Sequence, residues 1–340
     1  MRAVRFYGAG QPLKVEDTDM PKPSDTDVIV RVKAAGVCHT DLHFLDGTLA
    51  PWKGTLPITL GHEIAGEIEF LGTKVRGFKR GDRVVVNNGV SCGRCAFCKM
   101  GRENLCSDLD QIGFTIDGGY ADYVKVPQRS LVILPKGISF EAGALLPCGV
   151  ATCYHALHDI ATLRRGETVL INGVGGLGSS AIQLAKNFGA KVLAVDVVDD
   201  KLQMARRLGA VAAINAKTEK VVDKVKELTN GRGVDVALEL VGRSVSMQNA
   251  IASLGKTGRY AIVGYTKDNL EVVPLNLVVM ENQIQGVVAY TKKDLGAVVR
   301  LAQAGKIKPI VAQRVALDGV QSALESLKDG LVGGRSVAIP

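Results

Sequence analysis

Over the first 140 residues, apolar and polar positions change in short runs. Residues 28–34, 64–70 and 83–87 are β-branched and apolar, and Gly, Pro and Asp bound them. The turns Lys79-Arg80-Gly81-Asp82 and Asp117-Gly118-Gly119 separate further runs of the same kind. This pattern predicts a mostly β, barrel-like domain.

From about Thr168 the period changes. Residues 168–172 read as a strand, and residues 177–188 follow with helical spacing until Gly189 stops them. Residues 191–196 form the next strand, with a helix running through Leu208. Further strands are predicted at 211–216, 234–240, 259–263 and 284–288, with helical segments near 218–228 and 245–254. Strands alternating with helices predict an α/β, doubly wound parallel sheet of the Rossmann kind. The segment 295–340 mixes one or two helices with a strand-like end at 336–339, a candidate to rejoin the first domain.

A chain of 340 residues suits two domains, and 46% hydrophobic with 22% charged residues is an ordinary globular mix. The net charge of +8 changes little, because the basic residues never run longer than pairs such as Arg206-Arg207. A nucleic-acid surface needs a denser basic stripe, so no nucleic-acid partner is expected. The uncharged stretch 142–158 contains Pro147, His155 and glycines and makes a poor membrane span. With no apolar leader in residues 1–10, the expected location is the cytoplasm, with no membrane partner.

Cysteine usage narrows the chemistry further. There are seven: Cys38, Cys92, Cys95, Cys98, Cys106, Cys148 and Cys153. An odd count with tight spacing points to metal binding over disulfides. Cys92, Cys95, Cys98 and Cys106 read C-x₂-C-x₂-C-x₇-C, and four thiolates so close can enclose one ion as a structural zinc site. An iron–sulfur cluster is the weaker alternative, because the ferredoxin run ends C-x₃-C-P and here Ser107 follows Cys106. Cys38, His62 and Cys148 form a second set: three ligands that leave a fourth position open, as a catalytic zinc requires.

Gly173, Gly175, Gly176, Leu177 and Gly178 carry a G-x-G-x-x-G fingerprint that follows an apolar strand and opens a helix. That context predicts a dinucleotide whose pyrophosphate sits on the helix N-terminus. Asp196 ends the second strand, 18 residues beyond Gly178. A carboxylate there accepts from the ribose hydroxyls and repels a 2′-phosphate, which favours NAD over NADP.

Cys38-His39-Thr40-Asp41-Leu42-His43, Gly61-His62-Glu63, Gly66, the cysteine lobe, Cys148 with Thr152, the glycine loop and Asp196 together resemble the zinc-dependent medium-chain alcohol dehydrogenases of bacterial and yeast type. The resemblance runs essentially end to end. It implies a GroES-like catalytic domain split around the NAD domain: residues 1–147 and 289–340 around 148–288, with the structural zinc lobe at 88–108. It implies two zinc ions per chain, NAD as cofactor, a small alcohol or aldehyde as substrate, and a homotetramer. Cys38, His62 and Cys148 would hold the catalytic zinc, with Asp41 and Glu63 supporting them. Thr40 would hydrogen-bond the alcohol and His43 would pass its proton to solvent as the zinc-bound alkoxide forms. His39 and Arg335 would lie near the cofactor phosphates and Thr152 at the nicotinamide, with Lys201, Val263 and Val288 as further cofactor contacts. Residues 44–56, with the sole Trp52, would line the substrate pocket, and Tyr290 stands where relatives commonly carry small residues. A polyol or hydroxyacyl-CoA dehydrogenase, an enoyl reductase, or a non-catalytic zinc and NAD-binding protein are the alternatives.

Overall fold

The computed structural model describes residues 1–340. The chain divides into two compact units, Met1–Ala151 with Tyr290–Pro340, and Thr152–Ala289. The first division falls four residues beyond the expected 147/148 boundary, so Cys148 lies in the first unit, with the other expected zinc ligands.

The first unit is built around the strand Asp27–Gly36. It pairs antiparallel with Glu63–Leu71, Tyr123–Pro127 and the C-terminal strand Arg335–Ala338. The C-terminus returns because Val337 pairs with Gly36 and Ala338 with Ala35. Register breaks between Ile29 and Val30 and between Val32 and Ala34 bend the central strand, as bulges do in barrel-like sheets. Val28, Val30, Ile64, Ile68, Val84, Val86, Val124 and Val126 point into one core, which is why these runs read as apolar. The strand Val311–Val315 beside the C-terminal one escapes the sequence pattern. Its exposure alternates without a fully buried residue, so it carries no strong apolar run.

The second unit is a six-stranded sheet in the order Ala212–Asn215, Lys191–Asp196, Thr168–Asn172, Val234–Glu239, Leu254–Ile262, Gln283–Gly286. All pairs are parallel, and the order 3-2-1-4-5-6 is that of a Rossmann fold. The fifth strand starts at Leu254, five residues before the predicted 259, and the preceding helix ends at Ala252. A short helix, Pro274–Met280, was not predicted; it buries none of its side chains, so it lacks the amphipathic signal. No helix of the chain is long and apolar enough to cross a membrane.

Candidate active site and metal centres

Two local devices present the ligands of the first unit. Cys38 sits at the junction of the central strand and the helix His39–Leu45, and its backbone N–H donates to Asp41 Oδ2 (3.1 Å). Cys148 lies in a π-helical stretch, Leu146–Ala151, that continues the helix Phe140–Leu145. Pro147 has no N–H to close an α-turn, and such widened turns recur at functional sites. His62 and Glu63 open the strand Glu63–Leu71 after Gly61, whose φ is +90°. A Cβ on Gly61 would stand 2.7 Å from the Tyr120 ring, so only glycine fits this corner.

These residues converge. The Cys38 and Cys148 sulfurs are 3.9 Å apart. The ligand atoms of Cys38, His62, Glu63 and Cys148 all lie within 4.8 Å of one another. Two thiolates on a tetrahedral zinc, each at about 2.3 Å, stand about 3.8 Å apart. His62 is 2% exposed, yet neither of its ring nitrogens makes a hydrogen bond within the chain. A buried imidazole left so is costly unless an ion takes one nitrogen. The residues therefore fit a zinc ion.

The surroundings are charged and ordered. Cys38 is held well below the ordinary thiol range, first by the Cys148 thiol and then by the Arg335 and His62 charges. Its partner Cys148 is pushed well above, first by Cys38. Asp41 is fully buried; its Oδ2 also accepts from the Tyr120 hydroxyl (2.7 Å), and its Oδ1 is 3.5 Å from His62 Nδ1. One carboxylate thus fixes the Cys38 turn and stands within ion-pair reach of the His62 ring, the position from which carboxylates support metal-binding histidines. Tyr120 was not singled out from the sequence, although it directly follows the Asp117-Gly118-Gly119 turn.

Arg335 is also tied to the strand that follows His62. Its guanidinium is 3.0 Å from Glu63 Oε1 and donates to the Val37 carbonyl (3.4 Å), buried beside the cysteines. Glu63 is raised to about 7 by burial, against the pull of Arg335.

The helix after Cys38 carries Thr40 and His43, the two residues expected to form a relay. Thr40 Oγ1 is 3.6 Å from Cys38 Sγ. His43 is buried, and its ring centre is 5.2 Å from that of the exposed His39, one helical turn away. Burial, and then the His39 charge, hold His43 below the usual imidazole value. Phe114 packs 4.6 Å from His62, 5.1 Å from Phe44 and 6.4 Å from Trp52, making an aromatic wall beside the metal ligands. Of the region 44–56, this wall takes Phe44 and Trp52.

The four-cysteine lobe is a second centre. Cys92 and Cys98 sulfurs are 4.0 Å apart, Cys95 and Cys106 3.9 Å, and all four lie within 4.8 Å. Backbone N–H groups of Cys92, Arg94, Cys95 and Asp108 point at the Cys92 and Cys106 sulfurs. Backbone donors at Cys98 and Ser107 bring Cys95 down to about 6, which prepares a thiolate. Four sulfurs within 4.8 Å of one another can take the four corners of one tetrahedron, as a closed zinc site needs.

The dinucleotide residues lie in the second unit. Gly173 has φ +91°, and a Cβ on Gly178 would strike the Gly173 carbonyl, so the turn needs both glycines. A Cβ on Gly175 would meet nothing within 4 Å, which leaves an open cradle where the helix of Gly176 and Leu177 begins. Asp196 Oδ2 accepts from the Val174 N–H (2.7 Å), and Oδ1 accepts from Val197 (2.7 Å) and Val198 (3.1 Å). A carboxylate has about four acceptor positions, so roughly one remains for a ribose hydroxyl. Thr152 is buried with its hydroxyl unbonded, whereas the neighbouring Cys153 thiol donates to the Leu177 carbonyl (3.3 Å). Lys201 and Val263 are half-buried and Val288 is exposed. Glu239, fully buried at the end of its strand, was not anticipated. It accepts from the Val241 and Gly242 N–H groups and from Asn172 and Ser246 side chains, and so anchors the loop at that strand end.

Comparison with known proteins agrees with this arrangement. Residues 24–136 match the alcohol dehydrogenase GroES-like domain, and residues 176–304 the zinc-binding dehydrogenase domain. The chain is 36% identical over 348 residues to the NAD-dependent alcohol dehydrogenase of Sulfurisphaera tokodaii, covering 100% of both. The chain belongs to the zinc-dependent medium-chain alcohol dehydrogenases. Among solved members of that family, the alcohol dehydrogenase of Aeropyrum pernix superposes with a TM-score of 0.94 at 39% identity, over 100% of both chains. The sorbitol dehydrogenase of Bacillus subtilis is 35% identical over 335 residues, covering 96% of this chain and 93% of its own. The GroES-like and Rossmann parts of the family correspond to the two units described above.

Proposed function

We propose that this chain is a zinc-dependent, NAD-linked dehydrogenase of primary or secondary alcohols, with two zinc ions per chain. Family membership makes it an oxidoreductase that interconverts alcohols and carbonyl compounds by hydride transfer. The observation that carries the finer reading is the Cys38–Cys148 separation of 3.9 Å around an unbonded, buried His62.

Zinc held by Cys38, His62 and Cys148 would supply a Lewis acid that acidifies the alcohol, and bound NAD would supply the hydride acceptor. The chain's own residues do the rest. Thr40 offers its hydroxyl next to Cys38 and takes the alcohol proton as a hydrogen bond. His43, three residues along the same helix, receives that proton. Its lowered pKa keeps it neutral near pH 7, so it can accept. Asp41, held by Tyr120, fixes the helix start and stands 3.5 Å from the His62 ring. Phe114 and Trp52 give the substrate's carbon chain an apolar surface.

In the second unit, Gly175 leaves room for the pyrophosphate and Asp196 keeps an acceptor for the ribose of NAD. The helix Pro274–Met280 exposes Leu275, Val278 and Val279, with 66%, 72% and 61% of their surfaces open. Beside it the edge strand Gln283–Gly286 has one unpaired side. Both features suit burial against further copies, in keeping with a homotetramer. All seven cysteines are free thiols, as a reducing cytoplasm favours.

NADH formation across a panel of primary, secondary and polyhydric alcohols tests the reading. Zinc-loaded protein should reduce NAD with at least one simple alcohol, and reduction of NAD with none would refute it. The likeness to a sorbitol dehydrogenase is the reason for including polyols.

A further inference from the structure

One short stretch of chain joins the four-cysteine lobe to the aromatic wall. It leaves Cys106, whose sulfur accepts the Asp108 N–H at 3.4 Å. Asp110 and Gln111 then pair with Val90 and Gly89, just before Cys92. The next turn is tied by the Thr115 hydroxyl, which accepts the Gln111 N–H at 2.8 Å. That turn carries Phe114, 4.6 Å from His62.

The loop with the sole tryptophan rests on this stretch. Residues 46–57 form no helix or strand, so their position depends on side-chain anchors and close contacts. Trp52 meets Phe114 edge-on at 6.4 Å. Gly54 comes so close that a Cβ on it would stand 2.4 Å from the Thr115 carbonyl oxygen. Between these two, Lys53 Nζ donates to Asp108 Oδ1 and lies 3.6 Å from Asp110 Oδ1.

We propose that Lys53 is a positioning residue for the substrate pocket, through which the four-cysteine lobe holds Trp52 against Phe114. With zinc bound, the Cys106 sulfur is fixed and in turn fixes the Asp108 backbone. The Asp108 carboxylate anchors Lys53, and Lys53 anchors its neighbour Trp52. The lobe therefore supports alcohol binding as well as folding. The inference rests on the dehydrogenase reading above, in which Trp52 and Phe114 face the substrate's carbon chain. The Asp108 side chain is 65% exposed, so salt screens its ion pair with Lys53.

The test measures acrylamide quenching of Trp52, the only indole in the chain, and the steady-state constants for propanol at saturating NAD in zinc-loaded protein. Lys53→Met should raise the KM for propanol roughly twofold to fivefold, the range of an exposed ion pair, with kcat changed by less than about twofold. Its Trp52 should be quenched more readily. Raising the ionic strength from about 0.01 M to about 1 M should move the wild type towards the variant in both measurements and leave the variant nearly unchanged. Lys53→Arg keeps the charge and should keep most of the wild-type behaviour. Cys106→Ser should raise quenching as Lys53→Met does, and combining the two should add nothing further. Asp108→Asn leaves the cysteines intact and takes the place of Cys106→Ser in that comparison if the latter fails to fold. Equal KM and quenching in wild type and Lys53→Met, or additive effects in a folded double variant, overturn the inference. Oxidation of no alcohol by any of these proteins would instead overturn the dehydrogenase reading, while the quenching would still decide whether Lys53 holds the loop.

Discussion

Arg335 and Glu63 form a 3.0 Å ion pair in which the two side chains are 7% and 0% exposed. The pair joins the C-terminal strand to the strand that follows His62, so it ties the chain's end to the candidate metal centre. Removing one partner from a buried pair leaves an uncompensated charge, at about 3–5 kcal/mol. Arg335→Met should therefore unfold at a clearly lower denaturant concentration than the wild type. Adding Glu63→Gln to it should restore part of the loss, because the stranded carboxylate is gone. Chemical denaturation of the three proteins checks this, and an Arg335→Met curve that overlays the wild type refutes it.

That pair also marks where the sequence stops being legible. The central Rossmann strands were readable because Thr168–Asn172, Lys191–Asp196 and Val234–Glu239 each bury a short apolar run. Cys38, His62 and Cys148 are each weak signals alone; their combination with the dinucleotide motif marks them as candidate ligands, and their ligand atoms lie within 4.8 Å of one another. The glycine loop was legible because its spacing follows an apolar strand and opens a helix. Pairings such as Arg335 with Glu63, Tyr120 with Asp41 and Tyr290 with Asn88 leave no local trace. They depend on strand register and on a C-terminal return that no periodic pattern encodes. Val311–Val315 and Pro274–Met280 escaped because neither buries a full face.

The four-cysteine lobe reaches beyond its own loop. Glu103, within it, accepts from the Lys292 N–H at 2.8 Å, at the start of the helix Lys292–Gln303. Because a closed zinc site contributes folding energy, Cys106→Ser should lose one zinc equivalent and lower the melting temperature. Residual activity per folded molecule should fall less than stability does. Metal analysis beside a thermal melt checks this, and an unchanged melting temperature with one zinc lost would refute the structural role.

Asp196 holds three backbone N–H groups as well as the ribose position. The ratio of kcat/KM for NAD over that for NADP should strongly favour NAD in the wild type. In Asp196→Gly it should fall by roughly tenfold or more, through the lost hydrogen bonds and the lost repulsion of a 2′-phosphate. The same substitution loosens the glycine turn, so the affinity for both cofactors should weaken. Equal use of NAD and NADP by the wild type contradicts this account.

The relay makes a claim about pH. His43 is a base whose pKa in the folded protein lies below the unfolded value. It thus stays neutral on acidification to below pH ~6.5, where an exposed imidazole would already be charged. Its contribution to stability is present above the unfolded pKa and is lost as pH falls through the folded one. His43→Gln should slow alcohol oxidation most at low pH, by about tenfold to a hundredfold, with partial recovery at high pH or with added imidazole. Zinc content should not change. A pH–rate profile identical to the wild type would remove His43 from the mechanism.

The central claim is that Cys38, His62 and Cys148 hold the ion that activates the alcohol, apart from the ion of the cysteine lobe. The most direct test measures zinc per chain and NADH formation together in Cys148→Ser. The account predicts about two zinc ions per wild-type chain, and one, in the cysteine lobe, in the folded variant, with alcohol-dependent NADH formation abolished. A variant that keeps both ions, or that still reduces NAD with alcohol at a wild-type rate, would contradict it.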